Sequence, residues 1–396
     1  MSRELPILVV GAGLGGAAAA LGLARKGFAV RLIEEASELG VIGYGIQLGP
    51  NVFPMFRELG IEKEVLANSH FPPNVMMLDA QTAETISEMP TGAGFVERFH
   101  DPYVAIHRVD LHRCLLDACK KLPNIEIMTS TAFARVEDLG DHVRMTTTDG
   151  RVIEGLALIG SDGLGSAVRR QFVGEEKPVP IGYVAHRTIV PMDKAPERVR
   201  RKEVILWAGD GFHIVQYPLR QESLFNIVAV FRTENIYERA DEDTYRSVLM
   251  KTYANAHPIM HDMLRMMDLK RRWVIADREP IRHWSHGRVT LLGDAAHATL
   301  QSFAQGACMA IEDSVVLARC IELSKGDFAA AFQRYEKERV LRTARIVLES
   351  RSLWQFYHVG GVARDVRNDI ESRKTPKDMY DCVAWIYDGV KLPESL

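Results

Sequence analysis

The chain has 396 residues, of which 47% are hydrophobic and 26% charged, and its formal net charge is −3. That length suits two or three domains with ordinary cores, so nothing demands a metal or disulfide to hold it together. The near-balanced charge gives no reason to expect nucleic acid as a partner, and the basic runs at 198–202 and 270–272 read as solvated faces.

In chain order, residues 6–10 read as a short buried strand, 11–16 as a glycine turn and 17–26 as an alanine-rich helix closed by Gly27. Residues 29–34 form a second strand, which makes a βαβ start. The glycine-rich stretch 42–48 reads as a loop and 51–59 as a helix. Residues 74–99 break into short strand-like pieces. A helix is expected over 110–121 with Asp110 as its cap. Strands follow at 125–129, 134–139, 142–148 and 152–156, with a turn at Asp149-Gly150, then a buried strand at 157–160. Segments 183–190, 204–208, 212–219 and 224–232 read as a meander in a second sheet. Residues 243–267 read as one helix, 288–292 as a strand, and 306–323 and 328–357 as long helices.

Gly11-Ala-Gly13-Leu14-Gly15-Gly16 satisfies GxGxxG, with a strand before it and a helix after it. Gly11 permits the tight turn, Gly13 lets backbone approach a pyrophosphate, and Gly16 lets helix and strand pack closely. The helix N-terminus offers free N–H groups to the anion, and Glu34 at the end of the next strand can accept from an adenosine ribose. The chain carries one such turn, so it binds either NAD, as a simple dehydrogenase, or FAD with the nicotinamide docking transiently.

Two further segments bear on that choice. They are Gly160-Ser-Asp162-Gly163-Leu-Gly-Ser166-Ala-Val-Arg169 and Gly287-Arg-Val-Thr-Leu-Leu-Gly293-Asp294-Ala-Ala-His297. With the glycine turn, and with Tyr335-Glu336-x-x-Arg339-x-x-Arg342, they resemble the fingerprints of the class A, single-component flavoprotein aromatic hydroxylases. The resemblance spans most of the chain. It implies an α/β fold: a Rossmann-like FAD-binding domain (1–72, 104–178 and 280–323), an inserted β-sheet substrate domain (73–103 and 179–279) and a C-terminal helical region (324–396). It implies that FAD is bound through the glycine turn, Leu14 and Glu34, with Arg108 contacting it and Asp294 on the ribityl chain. Asp162 would order the pyrophosphate region and the nicotinamide route. Backbone N–H groups of Gly306 and Ala307 would face the N1–C2=O edge of the flavin, where reduced flavin carries negative charge. Asp162 and Asp294 also fit simple turn caps. The family has proline after the histidine of the third motif, and Ala298 stands there in this chain.

Hydroxylation through a flavin hydroperoxide needs an electron-rich ring. A phenol with a pKa of about 10 therefore gains from a base near neutral pH. In Phe212-His213-Ile214-Val215-Gln216-Tyr217, strand alternation puts His213, Val215 and Tyr217 on one face, with about 13 Å between the Cα atoms of the outer two. On pattern alone, His213 suits a structural strand histidine as well as a base. This run, Leu300-Gln301 and Pro102-Tyr103 look closest to the group within the family that converts 3-hydroxybenzoate, NADH and O2 to gentisate. That likeness implies catalytic roles for His213 and Gln301 at the phenol, and substrate contacts for Tyr217 and Tyr103. It also implies NADH rather than NADPH, and a homodimer. No arginine pair stands out for the substrate carboxylate; Arg187 is a weak candidate that reads more readily as structural, and backbone, Tyr and Gln hydrogen bonds can serve instead. Salicylate and 6-hydroxynicotinate are the alternatives within the family; an NAD-linked dehydrogenase and a non-catalytic flavin-binding protein lie outside it.

His283-x-x-His286 and His297 lack a third ligand at metal spacing, so no metal is expected. Ser166 lacks a GxSxG context, and no halogenase WxWxIP motif occurs. Five cysteines without a CxxC pair fit buried thiols in a reducing compartment. No apolar run of about 18 residues suggests a transmembrane helix. A cytoplasmic protein is the expectation.

Overall fold

The computed structural model describes residues 5–40, 43–174, 177–234 and 242–395. Its first layer is a six-stranded sheet centred on Ile7–Val10, which pairs in parallel with Val30–Ile33 on one side and Leu158–Gly160 on the other. Ile125–Met128 extends the sheet beyond Val30–Ile33, and Val289–Leu291 extends it beyond Leu158–Gly160, both in parallel. All four residues of the central strand are buried, as a parallel sheet covered on both faces requires. Leu14–Arg25 covers it, and its run of alanines lets Gly306–Ser324 pack closely alongside.

The second layer is a seven-stranded sheet built from two separated stretches of chain. Asn74–Asp79 and Thr85–Pro90 join Val179–Pro191, Val204–Gly209, Phe212–Leu219, Leu224–Arg232 and Trp273–Asp277. One face packs on the helices Glu242–Thr252 and Pro258–Arg265 through Ile214, Phe225, Tyr253 and Met260. The other face packs on the strand Val104–His107, on the helices Ala93–Phe99 and Pro376–Tyr387, and on Trp354 of the long helix Phe328–Tyr357. The chain is thus an α/β protein with a Rossmann-like nucleotide layer, an inserted sheet and C-terminal helices. No described helix is long and apolar enough to cross a membrane.

Four local expectations need correction. Residues 243–267 form two helices, because Pro258 cannot continue the first; it opens the second, where the ring of His257 accepts from the N–H of Ile259. The stretch expected to loop contains the strand Gly45–Leu48, paired with Val104–His107. Ala93–Phe99 is a helix inside the region read as strand pieces. The helix expected to start at Asp110 runs Arg108–Lys120 and is capped by His107. Asp110 is buried and bridges Arg113 and Arg220, at 3.1 and 2.8 Å.

Candidate active site

At the nucleotide end, the glycines divide their labour. Gly11 has φ +98°, and a Cβ there would lie 2.4 Å from the carbonyl oxygen of Ser161. A Cβ on Gly16 would fall 1.8 Å from the carbonyl oxygen of Gly11, so strand and helix meet only through glycine. A Cβ on Gly13 would meet nothing within 4 Å: that glycine faces open space. The space is a cavity of about 490 Å³ bordered by Gly13, Leu14, Glu34, Arg108 and His112. Gly15 faces elsewhere, against Leu292 and Ala310. Glu34 accepts from the N–H groups of Ala12 and Ala36 at 2.8 and 3.0 Å, so its carboxylate fixes the turn as well as bordering the cavity. His112, which sequence reasoning missed, donates from Nε2 to the carbonyl of Ala12 at 2.6 Å. Burial holds its pKa down.

Asp162 caps the helix Ala167–Phe172. Its carboxylate accepts from Ser166 Oγ at 2.5 Å and from the N–H groups of Ala167 and Val168 at 2.7 and 3.1 Å. Its Cα lies against Gly11, so the capped loop buttresses the glycine turn. Asp294 opens the short helix Asp294–His297 after Gly293, whose φ is +63°. Its side chain is exposed to the cleft although protein surrounds it, and this burial raises its pKa despite His297 and Arg108 nearby.

A buried ionic network holds that corner. Asp313 accepts from Gly293 N–H at 3.0 Å, from His297 Nε2 at 2.7 Å and from Arg339 Nε at 2.6 Å. Burial opposes its ionisation, yet His297 and Arg339 pull its pKa down to about 2. Glu312 takes the other side of Arg339 at 2.8 Å and Arg342 at 2.7 Å. The helix Gly306–Ser324 starts without a side-chain cap or first-turn acid, and a Cβ at Gly306 would also meet empty space. Its first N–H groups, including that of Ala307, are therefore placed to receive negative charge. An open glycine cradle, an uncapped helix end and a carboxylate at the strand terminus fit an FAD.

On the second sheet, His213, Val215 and Tyr217 share the face away from the helices Glu242–Thr252 and Pro258–Arg265, while Gln216 points the other way and bonds Trp207 and the carbonyl of Val199. Register places Arg187 on the same face: it pairs with Val228, which pairs with Val215. Arg187 thus stands level with the midpoint between His213 and Tyr217, two strands away. It is half-buried, its buried Nε has no partner, and no carboxylate pairs with it among the described residues. Burial, and then Arg108, depress its pKa, while Tyr217 supports the charge. Arg187 donates from Nη2 to Gln301 Oε1 at 2.8 Å.

Gln47, from the strand Gly45–Leu48, accepts from Tyr103 OH at 2.5 Å and also bonds Tyr217. Burial pushes Tyr217 up to about 12, against the pull of Arg187 and Gln47. His213 is buried, and its Nδ1 lies 2.8 Å from Nε2 of His358. Tyr357 donates to the carbonyl of Ser302 at 3.0 Å, so the end of the long helix also holds the turn that carries Gln301. Gln47 and His358 were not foreseen as site residues, and Arg187 was weighed for the carboxylate but read as structural. Strand alternation could have flagged Arg187 had the register been known; nothing local marks the other two.

A family model described as "FAD binding domain" matches residues 4–350. A relative from Polaromonas naphthalenivorans, named 3-hydroxybenzoate 6-hydroxylase, is 42% identical, with 97% of this chain and 96% of that protein covered. The 6-hydroxynicotinate 3-monooxygenase of Bordetella bronchiseptica is 33% identical, with 87% and 90% covered. Among solved structures, Klebsiella pneumoniae HpxO complexed with FAD and uric acid has a TM-score of 0.87 at 26% identity, over 98% of each chain. Sequence and fold agree with the cradle and pocket: the chain belongs to the FAD-dependent aromatic hydroxylases.

Proposed function

We propose that the enzyme hydroxylates 3-hydroxybenzoate para to its hydroxyl, giving gentisate at the expense of NADH and O2. The observation that carries this reading is the pairing of two unmet demands on one sheet face. Arg187 is a half-buried cation that meets no carboxylate, and the His213 ring hydrogen-bonds only through Nδ1, among the described residues. A benzoate with a ring hydroxyl satisfies both, and full-length relatives bearing the 3-hydroxybenzoate name support the choice.

When bound, FAD supplies reduction by the nicotinamide and activation of O2. The protein binds and orients the ring. Arg187 receives the carboxylate as a charge-assisted pair. Because a guanidinium only donates, Gln301 must turn its oxygen to Arg187, which leaves its amide N–H groups for a substrate oxygen. Tyr217 and Tyr103, tied together by Gln47, form an aromatic wall. His213 accepts the phenol proton at Nε2, which raises electron density at the ring carbon para to the oxygen. Glu34, Leu14, Gly13 and Arg108 would hold the adenosine diphosphate half. Asp294, Gly306 and Ala307 would hold the ribityl and ring portions, and the loop capped by Asp162 would flank the nicotinamide route.

The test is NADH and NADPH oxidation over 3-hydroxybenzoate, salicylate and 6-hydroxynicotinate, with chromatographic identification of products. Gentisate from 3-hydroxybenzoate, formed faster with NADH, is expected. Turnover of that substrate without gentisate, or hydroxylation of another panel member alone, overturns the assignment.

A further inference from the structure

His213 meets the outside of its pocket through His358, a residue at the end of the long helix with no role assigned above beyond that contact. The hydrogen bonds fix which atoms carry protons. His358 Nδ1 lies 2.7 Å from the carbonyl oxygen of Trp354. A carbonyl only accepts, so Nδ1 of His358 must be protonated. In neutral His358 the Nε2 atom is then a bare acceptor, and it lies 2.8 Å from Nδ1 of His213. That contact requires a proton on His213 Nδ1, which leaves His213 Nε2 with its lone pair free.

We propose that His358 is a positioning residue that sets the tautomer of His213, so that Nε2 faces the substrate phenol as a base. This inference rests on the proposed function. In the step itself, the phenol O–H bond breaks, an Nε2–H bond forms on His213, and the ring oxygen keeps the electron pair. The resulting imidazolium donates from Nδ1 to His358 Nε2, so the charge is spread over two rings inside a buried site. With the opposite tautomer, His213 would present an N–H to the phenol and could not take its proton.

The surroundings keep the device in its working state. Trp354 and Tyr357 pack on His213 with ring centroids 5.3 and 6.1 Å away, and Tyr183 lies 4.8 Å from the ring of His358. The charged neighbours are Arg367, which bonds the carbonyl of Tyr357, and Asp210, beside Gly360. Burial, and then Arg367, hold His358 down to about 4, against the Trp354 carbonyl. Near neutral pH it is therefore the acceptor the relay needs. Protonation of His358 at low pH turns its Nε2 into a donor, forces His213 to accept at Nδ1 and removes the base.

The experiment uses FAD-loaded enzyme, with wild type, H358F and H358Q compared. Phenylalanine keeps the bulk and loses the acceptor; the glutamine oxygen can still accept from His213 Nδ1. For H358F, kcat for gentisate is expected to fall about tenfold or more, with KM for 3-hydroxybenzoate within about twofold and FAD retained. H358Q is expected to recover most of the loss. In histidine ¹⁵N NMR spectra, wild-type His213 is expected to be protonated at Nδ1 and bare at Nε2, with that signature lost in H358F. Unchanged kcat in H358F, or a wild-type spectrum with His213 protonated at Nε2, overturns the proposal. Should H358F not fold, the wild-type spectrum decides. Wild type that makes no gentisate but shows the Nδ1–H form removes the substrate reading and leaves the tautomer assignment standing.

Discussion

Arg187 costs the substrate-free protein stability, because a half-buried guanidinium without an anion loses part of its hydration, leaves its Nε unpartnered and gains only an amide oxygen in return. Such a residue is explained by what arrives. R187M is expected to raise KM for 3-hydroxybenzoate by about 10- to 100-fold, the loss of one charge-assisted contact of roughly 1.5–3 kcal/mol. The same substitution is expected to raise the thermal midpoint of the substrate-free enzyme, since it removes a half-buried charge that has no anion. A merely structural arginine would behave in the opposite way, so a lowered midpoint with unchanged KM refutes the carboxylate role. His213 acts on a different quantity. H213A is expected to keep FAD but lose gentisate formation by about 10²-fold or more, read as gentisate formed per NADH consumed.

Among the elements, the glycine turn and the buried ionic corner answer to different physics. G13A introduces a methyl into open space, so the protein should fold normally and take up FAD poorly, as absorbance near 450 nm would report. G16A drives a methyl into the backbone of Gly11 at 1.8 Å, so little folded protein is expected by circular dichroism. Equal folding of the two variants would contradict this division. The turn was readable in the sequence because a strand, three spaced glycines and a helix are contiguous. The His213–Tyr217 face was readable because strand alternation is local. Arg187 was not, because its place depends on register across two neighbouring strands. His358 and Gln47 enter from a helix end and a strand far away in sequence, and no periodicity announces such encounters. The single helix expected over 243–267 failed for a local reason: Pro258 and its His257 cap outweighed the apolar spacing of Met260, Met263 and Met267, which does pack into the core.

For the whole molecule, buried histidines tie stability to pH. Burial, with smaller effects from neighbouring groups, lowers His186 and His358 to about 4 each, and His213 shifts the same way. Above the unfolded value of about 6.5, the folded and unfolded chains are equally deprotonated at these sites, and no linkage arises. Below it the unfolded chain binds protons that the folded chain refuses, so stability falls as pH drops toward 4, by up to about 3 kcal/mol each for His186 and His358, with His213 acting in the same direction. Asp313 adds to the loss at still lower pH: its folded value of about 2 lies under the unfolded one, so its contribution fades only between about pH 4 and 2. The two windows separate the histidines from the ionic corner. Denaturant midpoints of the FAD-loaded enzyme should decline from pH 7 to pH 5, and H358Q should decline less steeply than wild type because it removes one of the titrating groups. R339M should shift the curve down by about 3–5 kcal/mol at pH 7, since it strands Asp313 and Glu312 without their shared cation. A flat wild-type curve across that range would mean that the three imidazoles titrate freely in the folded protein, which the enclosed packing of His213 between Trp354 and Tyr357 does not permit.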